Sequence, residues 1–201
     1  MPVRFHAFLL TSLAGALILA SAAVGGEEGF VDLFNAKDLS GWKIVPEKAA
    51  DTFAVKDGVL VVSGRPNGYV YTDKSYKNYV LRFDWKFIKD GNSGCLVHIQ
   101  LPHKVWPKCV EVQGLQKDHG HIFPVAGAKG KYTVDNEAQK KAIKFGEWNT
   151  TEIVCKDGAI TAKINGIEVS TGVGELTDGP FGLQSEGTEL HFKNIKIKVL
   201  N

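Results

Sequence analysis

The sequence predicts an all-β fold, a two-sheet antiparallel sandwich of the jelly-roll type. Three observations carry this expectation: repeated hairpin-turn dipeptides, one long strand of strict alternation, and no convincing helical period beyond the first twenty or so residues. Asp-Gly and Asn-Gly supply the positive φ angles of tight two-residue turns, so strands on either side of them pair as hairpins.

The N-terminus comes first. Arg4 and His6 precede an apolar run from Ala7 to Ala20, and Ala20-Ser21-Ala22 offers the small-x-small site that signal peptidase cuts. Residues 1–22 are therefore expected to be a secretory signal, and residues 23–201 a single domain. The apolar run is shorter than the roughly 20 residues that span a bilayer, so no stable membrane insertion is expected after cleavage. The expected destination is the periplasm or the extracellular space.

At 201 residues and 44% hydrophobic content the chain can bury one substantial core. Its 24 basic and 22 acidic side chains are interspersed, without the clustered Lys and Arg that a phosphate-binding surface needs, so no nucleic-acid partner is expected. Cys95, Cys109 and Cys155 leave at least one thiol unpaired, and no C-x-x-C spacing suggests a metal. All three are expected to act as small buried hydrophobes.

Strands are expected over 53–55 and 59–62 around Asp57-Gly58, over 152–155 and 160–164 around Asp157-Gly158, and over 167–169 after Asn165-Gly166. Between them lies the most regular strand, 79–88, in which Tyr79, Leu81, Phe83, Trp85 and Phe87 alternate with Val80, Arg82, Asp84, Lys86 and Ile88. Two further strands, 94–100 and 109–115, alternate in the same way. If these three are neighbours, Lys86, His98, Gln100, Glu111 and Gln113 share one face, and such a mixture of donors and acceptors suits the hydroxyls of a carbohydrate. The span 116–146 has weak periodicity and is expected as a long loop at the groove edge, with a short strand near 122–126 as an alternative. The final strand, 190–200, shifts its apolar parity near Asn194, which implies a bulge.

Several short stretches then resemble one family in the right order. Gly29-Phe30-Val31-Asp32-Leu33-Phe34-Asn35 with Leu39-Ser40-Gly41-Trp42, Gly91-Asn92-Ser93-Gly94, Val110-Glu111-Val112-Gln113, Gly182-Leu183-Gln184-Ser185 and Phe192-Lys193-Asn194-Ile195 are similar to motifs of the 3-keto-disaccharide hydrolase domains, whose fold is related to concanavalin A-like lectins and glucanases. The chain departs from that pattern at His98, Glu186 and His191.

The resemblance implies cleavage of glycosides already oxidised to a ketone at C3, which acidifies the hydrogen on C2. One base, an enolate stabiliser and a proton donor to the leaving group are needed. The expected catalytic residues are Glu111 as base, with His98 or Lys86 on the enolate. Gln100, Gln113, Gln184, Glu186, Trp106 and His119 are the expected substrate-binding residues, Trp106 as an aromatic plate at the rim. A divalent metal ion held by His98, Glu111 and His119 is the alternative to the cationic side chain. Two other functions share the fold: conventional glycoside hydrolysis by paired carboxylates, Glu111 with Glu186 or Asp84, and non-catalytic carbohydrate binding.

Overall fold

A computed structural model describes Met1 and residues 29–201. The expected signal segment, residues 1–22, lies outside the described residues apart from Met1. No described helix is long and apolar enough to cross a membrane.

In chain order the strands are β1 (Val31–Asp32), β2 (Trp42–Val45), β3 (Phe53–Lys56), β4 (Val59–Val62), β5 (Gly68–Thr72), β6 (Tyr79–Phe87), β7 (Gly94–Val97), β8 (Cys109–Gln113), β9 (Ile122–Val125), β10 (Gly130–Val134), β11 (Asn149–Lys156), β12 (Ala159–Ile164), β13 (Ile167–Gly174), β14 (Gly182–Ser185) and β15 (Leu190–Val199). A short helix, α1 (Asn136–Ala142), separates β10 from β11.

The strands form two antiparallel sheets, as the sequence predicts. One runs β10-β13-β12-β11-β6-β15-β4-β3, with β1 also on β15, and the other runs β2-β5-β14-β7-β8-β9. The three hairpin turns are built as expected: Asp57-Gly58, Asp157-Gly158 and Asn165-Gly166 all have both residues at positive φ.

Alternation decides the core. Tyr79, Leu81, Phe83, Trp85 and Phe87 of β6 face inward against Cys95 and Val97 of β7 and Val110 and Val112 of β8. The cysteines are free and buried: Cys95 and Cys155 lie in this core, and Cys109 packs in a separate cluster with Tyr69, Tyr71, Leu96 and Ile99. That second cluster marks the face of the six-stranded sheet turned away from the core. The opposite orientation of Cys95 and Cys109 is what the alternation of β7 and β8 requires.

The bulge in β15 is present. Asn194 has φ 52°, the register shifts between Lys193 and Lys196, and the inward residues change from Leu190 and Phe192 to Ile195 and Ile197. The bend lets one strand serve two neighbours, β4 along residues 190–192 and β1 along 196–197.

Residues 116–146 are not the long loop that weak periodicity suggested, and the alternative of a short strand near 122–126 is met by β9. They hold β9, β10 and α1, the last capped by Asp135, whose side chain accepts hydrogen bonds from the backbone N–H groups of Glu137 and Ala138. These elements are short and half-exposed, and Pro124 sits in an edge strand, so their apolar pattern is too sparse to register as a period.

Candidate active site

The expected neighbourhood of the strands 79–88, 94–100 and 109–115 is half right. β7 and β8 pair, with Leu96 opposite Glu111 and Gly94 opposite Gln113. β6 does not join them. It lies in the other sheet between β11 and β15, because the chain crosses from one layer to the other after Phe87. Lys86 therefore sits opposite His191 on the outer surface of the nine-stranded sheet, with the whole sandwich between it and Glu111.

His98 also leaves the expected face. The left-handed backbone at this residue, φ 55°, ends the alternation of β7 and turns its ring inward, edge-on to Tyr79 with centroids 5.9 Å apart. The ring is fully buried, and burial lowers its pKa to about 4. His119 is a core residue as well. It stacks on Trp85 at 3.7 Å, its Nε2 lies 3.1 Å from Thr151 Oγ1, and burial holds it at about 3. The expected metal-ligand trio is thus dispersed over separate environments. Among the described residues no group of three or more His, Cys, Asp or Glu side chains is placed to hold a metal ion.

Two amides are occupied by the backbone. Gln100 donates to the carbonyls of His98 (3.1 Å) and Asp178 (2.8 Å), and Gln113 Oε1 accepts from the N–H groups of Gly114 and Leu115, both at 2.8 Å. Trp106 projects from the loop between β7 and β8, 41% exposed.

What the fold does bring together is Glu111, Gln184 and Glu186. On the outward face of the second sheet, pairing sets Gln184 of β14 beside Gly94 of β7 and Glu111 of β8 one row away. Gly94 makes this meeting feasible: a Cβ there would collide with both Gln184 Oε1 and Glu111 Oε1. Glu186 continues from β14 and bridges Asn92, which leads into β7. Ser93 Oγ donates to the Gln184 carbonyl at 2.8 Å and ties the two strands at this point.

The electrostatics single out the same group. Glu111 is 5% exposed; burial first, and then the neighbouring Glu186 carboxylate, push its pKa up to about 8. Burial also raises Glu186, against a hydrogen bond from Asn92. Gln184 is 1% exposed, and its side chain meets the Glu111 carboxyl, an interaction that opposes the rise, without reaching full hydrogen-bond geometry there or elsewhere. A buried amide without a full partner costs on the order of 1–3 kcal/mol.

Sequence reasoning missed Asn92 as a partner of Glu186, and it missed Tyr69, Tyr71 and His103 on the same face. Tyr69 and Tyr71 alternate along β5, a signal that was present in Gly68-Tyr69-Val70-Tyr71-Thr72. His103 Nδ1 lies 3.3 Å from the Tyr69 hydroxyl, and its ring is 4.4 Å from that of Tyr71, a contact without a sequence signature.

Comparison with known proteins agrees with this architecture. A Parabacteroides distasonis structure classed with the glycosyl hydrolases is similar at TM-score 0.66 and 26% identity, over 87% of this chain and 95% of that one. A Bacillus subtilis protein with a galectin-like fold is similar at TM-score 0.62 and 10% identity, over 84% and 94% of the two chains, a likeness of fold alone. A 3-keto-disaccharide hydrolase of Bacteroides thetaiotaomicron is 22% identical over 87% of this chain and 79% of its own length. The sequence profile of the 3-keto-α-glucoside-1,2-lyase-like domain matches residues 29–198, and the chain belongs to that carbohydrate-cleaving family.

Proposed function

We propose that this chain cleaves glycosides that carry a ketone at C3, with Glu111 as the proton-transfer residue. The observation that carries the reading is the buried Glu111 carboxyl at about 8, beside a second raised carboxyl and the buried Gln184 amide. A base whose pKa lies near neutrality removes a weakly acidic carbon-bound proton far better than a carboxylate at 4.5.

Glu111 takes the C2 proton, the electron pair forms the C1–C2 double bond, and the bond from C1 to the leaving oxygen breaks. Glu111, now protonated, gives that proton to the leaving oxygen, and Glu186 holds the substrate beside it. Water then adds across the double bond, hydrogen to C2 and hydroxyl to C1. The Gln184 Nε2 donor takes the role first given to His98 or Lys86, stabilising the enolate oxygen at C3.

Conventional hydrolysis by the Glu111–Glu186 pair is a second reading, favoured by the proximity that raises Glu111. Incubation with plain glucosides and with their 3-keto counterparts separates the two. Release from the keto forms alone, lost by about 10²–10⁴-fold in Glu111→Gln, is the expected result. Turnover of plain glucosides points to the second reading, and saturable sugar binding without turnover of either set to a lectin. The apolar leader from Ala7 to Ala20 supports an exported site of action, in the periplasm or outside the cell.

A further inference from the structure

At the end of the sandwich where β6 stops and α1 leads into β11, apolar and charged side chains gather away from Glu111. They line an open groove of about 470 Å³, with the buried Phe87 beneath and Ile88, Lys89, Gln116, Lys117 and Phe145 around it. Alternation turns Phe87 into the core and leaves Ile88 pointing out, 46% exposed. Phe145 is 66% exposed, and the loop that carries it is braced from below. Asn149, itself buried, donates Nδ2 to the carbonyls of Lys144 (2.8 Å) and Glu147 (3.0 Å) and accepts from the Lys144 N–H at 2.8 Å. Gln139 Nε2 donates to the Lys117 carbonyl at 2.6 Å and ties that segment to α1. Two large apolar side chains thus stand in solvent on a backbone that is already ordered, which lowers the entropy lost when a ligand binds.

Polar groups without partners sit among these apolar walls. Lys89 and Lys117 make no ion pair among the described residues, and they outnumber the one carboxylate of the lining, Asp90. Gln116 is 7% exposed, and its Oε1 meets no hydrogen-bond donor among the described residues. A buried acceptor without a donor costs the fold stability, and a ligand N–H at the groove floor would remove that cost. The groove therefore suits an anion, an N–H donor and an apolar side chain held close together. The last residue of a polypeptide carries all three. A fatty acid or a free phosphate has no N–H beside its anion, and a free amino acid adds an ammonium group that the two lysines repel.

We propose that this groove binds the C-terminus of a partner polypeptide that ends in an apolar or aromatic residue. The terminal carboxylate lies between Lys89 and Lys117, the N–H of the last residue donates to Gln116 Oε1, and the side chain packs between Ile88 and Phe145. Asp90 accepts from an N–H farther back along the bound chain. The turn over residues 91–94 separates the groove from the two raised carboxyls. On the groove side the Gly91 carbonyl accepts from the Gln116 N–H at 3.1 Å, and on the other side Asn92 bridges Glu186. A docked chain end therefore leaves Glu111 and Glu186 uncovered, and the assignment does not depend on their chemistry.

Titration of ¹⁵N-labelled protein with acetyl-Gly-Gly-Phe, as the free acid and as the C-terminal amide, tests the assignment. Chemical-shift changes are expected at the amides of Ile88, Lys89, Lys117 and Gly146 with the free acid, and binding of the amide is expected to be about tenfold weaker. The free acid with an N-methyl group on its last residue is expected to bind about tenfold more weakly as well, which tests the Gln116 contact with the protein unaltered. Acetylphenylalanine offers the same three groups without the chain behind them and is expected to fall short of the tripeptide by a similar factor.

Phe145→Ser and Lys117→Ala, both at exposed positions, are each expected to weaken the tripeptide about tenfold while the spectrum stays dispersed, and Glu111→Gln is expected to leave its affinity unchanged. Equal binding of acid and amide, shifts confined to other surfaces, or no shift at about 5 mM tripeptide overturns the proposal. Acetylphenylalanine bound as tightly as the tripeptide overturns the docking of a chain end. None of these results bears on turnover of 3-keto glycosides, so the groove and the Glu111 assignment stand or fall separately.

Discussion

Replacement of Glu111 by Gln is expected to make the protein more stable as well as inactive, and only above pH 4.5. A carboxyl whose folded pKa is raised binds its proton more tightly folded than unfolded. Below pH 4.5 both states are protonated and the group adds no pH dependence. Between 4.5 and about 8 the unfolded chain has lost the proton and the folded one has kept it, so stability falls as pH rises. Above about 8 both are ionised and the whole penalty for a buried charge is present. The difference of about 3.5 pH units, at about 1.36 kcal/mol each, sets a ceiling of about 5 kcal/mol. That is a large share of the roughly 5–15 kcal/mol that holds an ordinary domain together. Gln is a neutral isostere of the protonated form and escapes the penalty. Urea unfolding of wild type and variant at intervals from pH 4 to pH 9 measures the difference. The two curves should lie together near pH 4 and separate steadily, with the variant ahead by several kcal/mol at pH 9. Curves that stay parallel, within about 1 kcal/mol of one another across the range, would show that Glu111 ionises as freely as a surface carboxylate, and the proton-transfer role would fall with that result.

Three further outcomes are expected. The pH profile of kcat/KM on a 3-keto glycoside should rise with pH through an apparent pKa near 8, and Glu186→Gln should shift that limb to lower pH by removing the like charge, as initial-rate assays would show. Acid should unfold the protein as pH falls from 6.5 toward 4, because the buried His98 and His119, held at about 4 and about 3, stay neutral in the fold while the unfolded chain takes up their protons; the steepness of circular-dichroism acid titrations should drop in His119→Gln. Gly94→Ala should cost about 1–3 kcal/mol in thermal or urea melts and depress kcat, since the added methyl displaces both Glu111 Oε1 and Gln184 Oε1.

Local chemistry explains which parts of this protein were legible in its amino acids. The hairpins at Asp57-Gly58, Asp157-Gly158 and Asn165-Gly166 and the inward row of β6 depend on backbone preference and on an alternation that only one face of a strand can satisfy, so they could be read one segment at a time. The Asn194 bulge was legible for the same reason, as a slip in parity within one strand. Glu111 and Gln184 could be named from short motifs, and the outward orientation of Glu111 followed from the alternation of β8. The company they keep could not. Alternation gives the side of a strand and never its neighbour, which is why Lys86, with its outward parity correctly read, belongs to the far sheet. His98 was lost to a single left-handed φ angle that reverses a side chain without any mark in the composition around it. The Glu111–Gln184–Glu186 grouping exists because β14, ninety residues downstream in the chain, inserts between β5 and β7 and because Gly94 leaves room where the side chains meet. The amino acids set which groups face outward; long-range strand order, chosen by burial of the whole core, settled which of them meet.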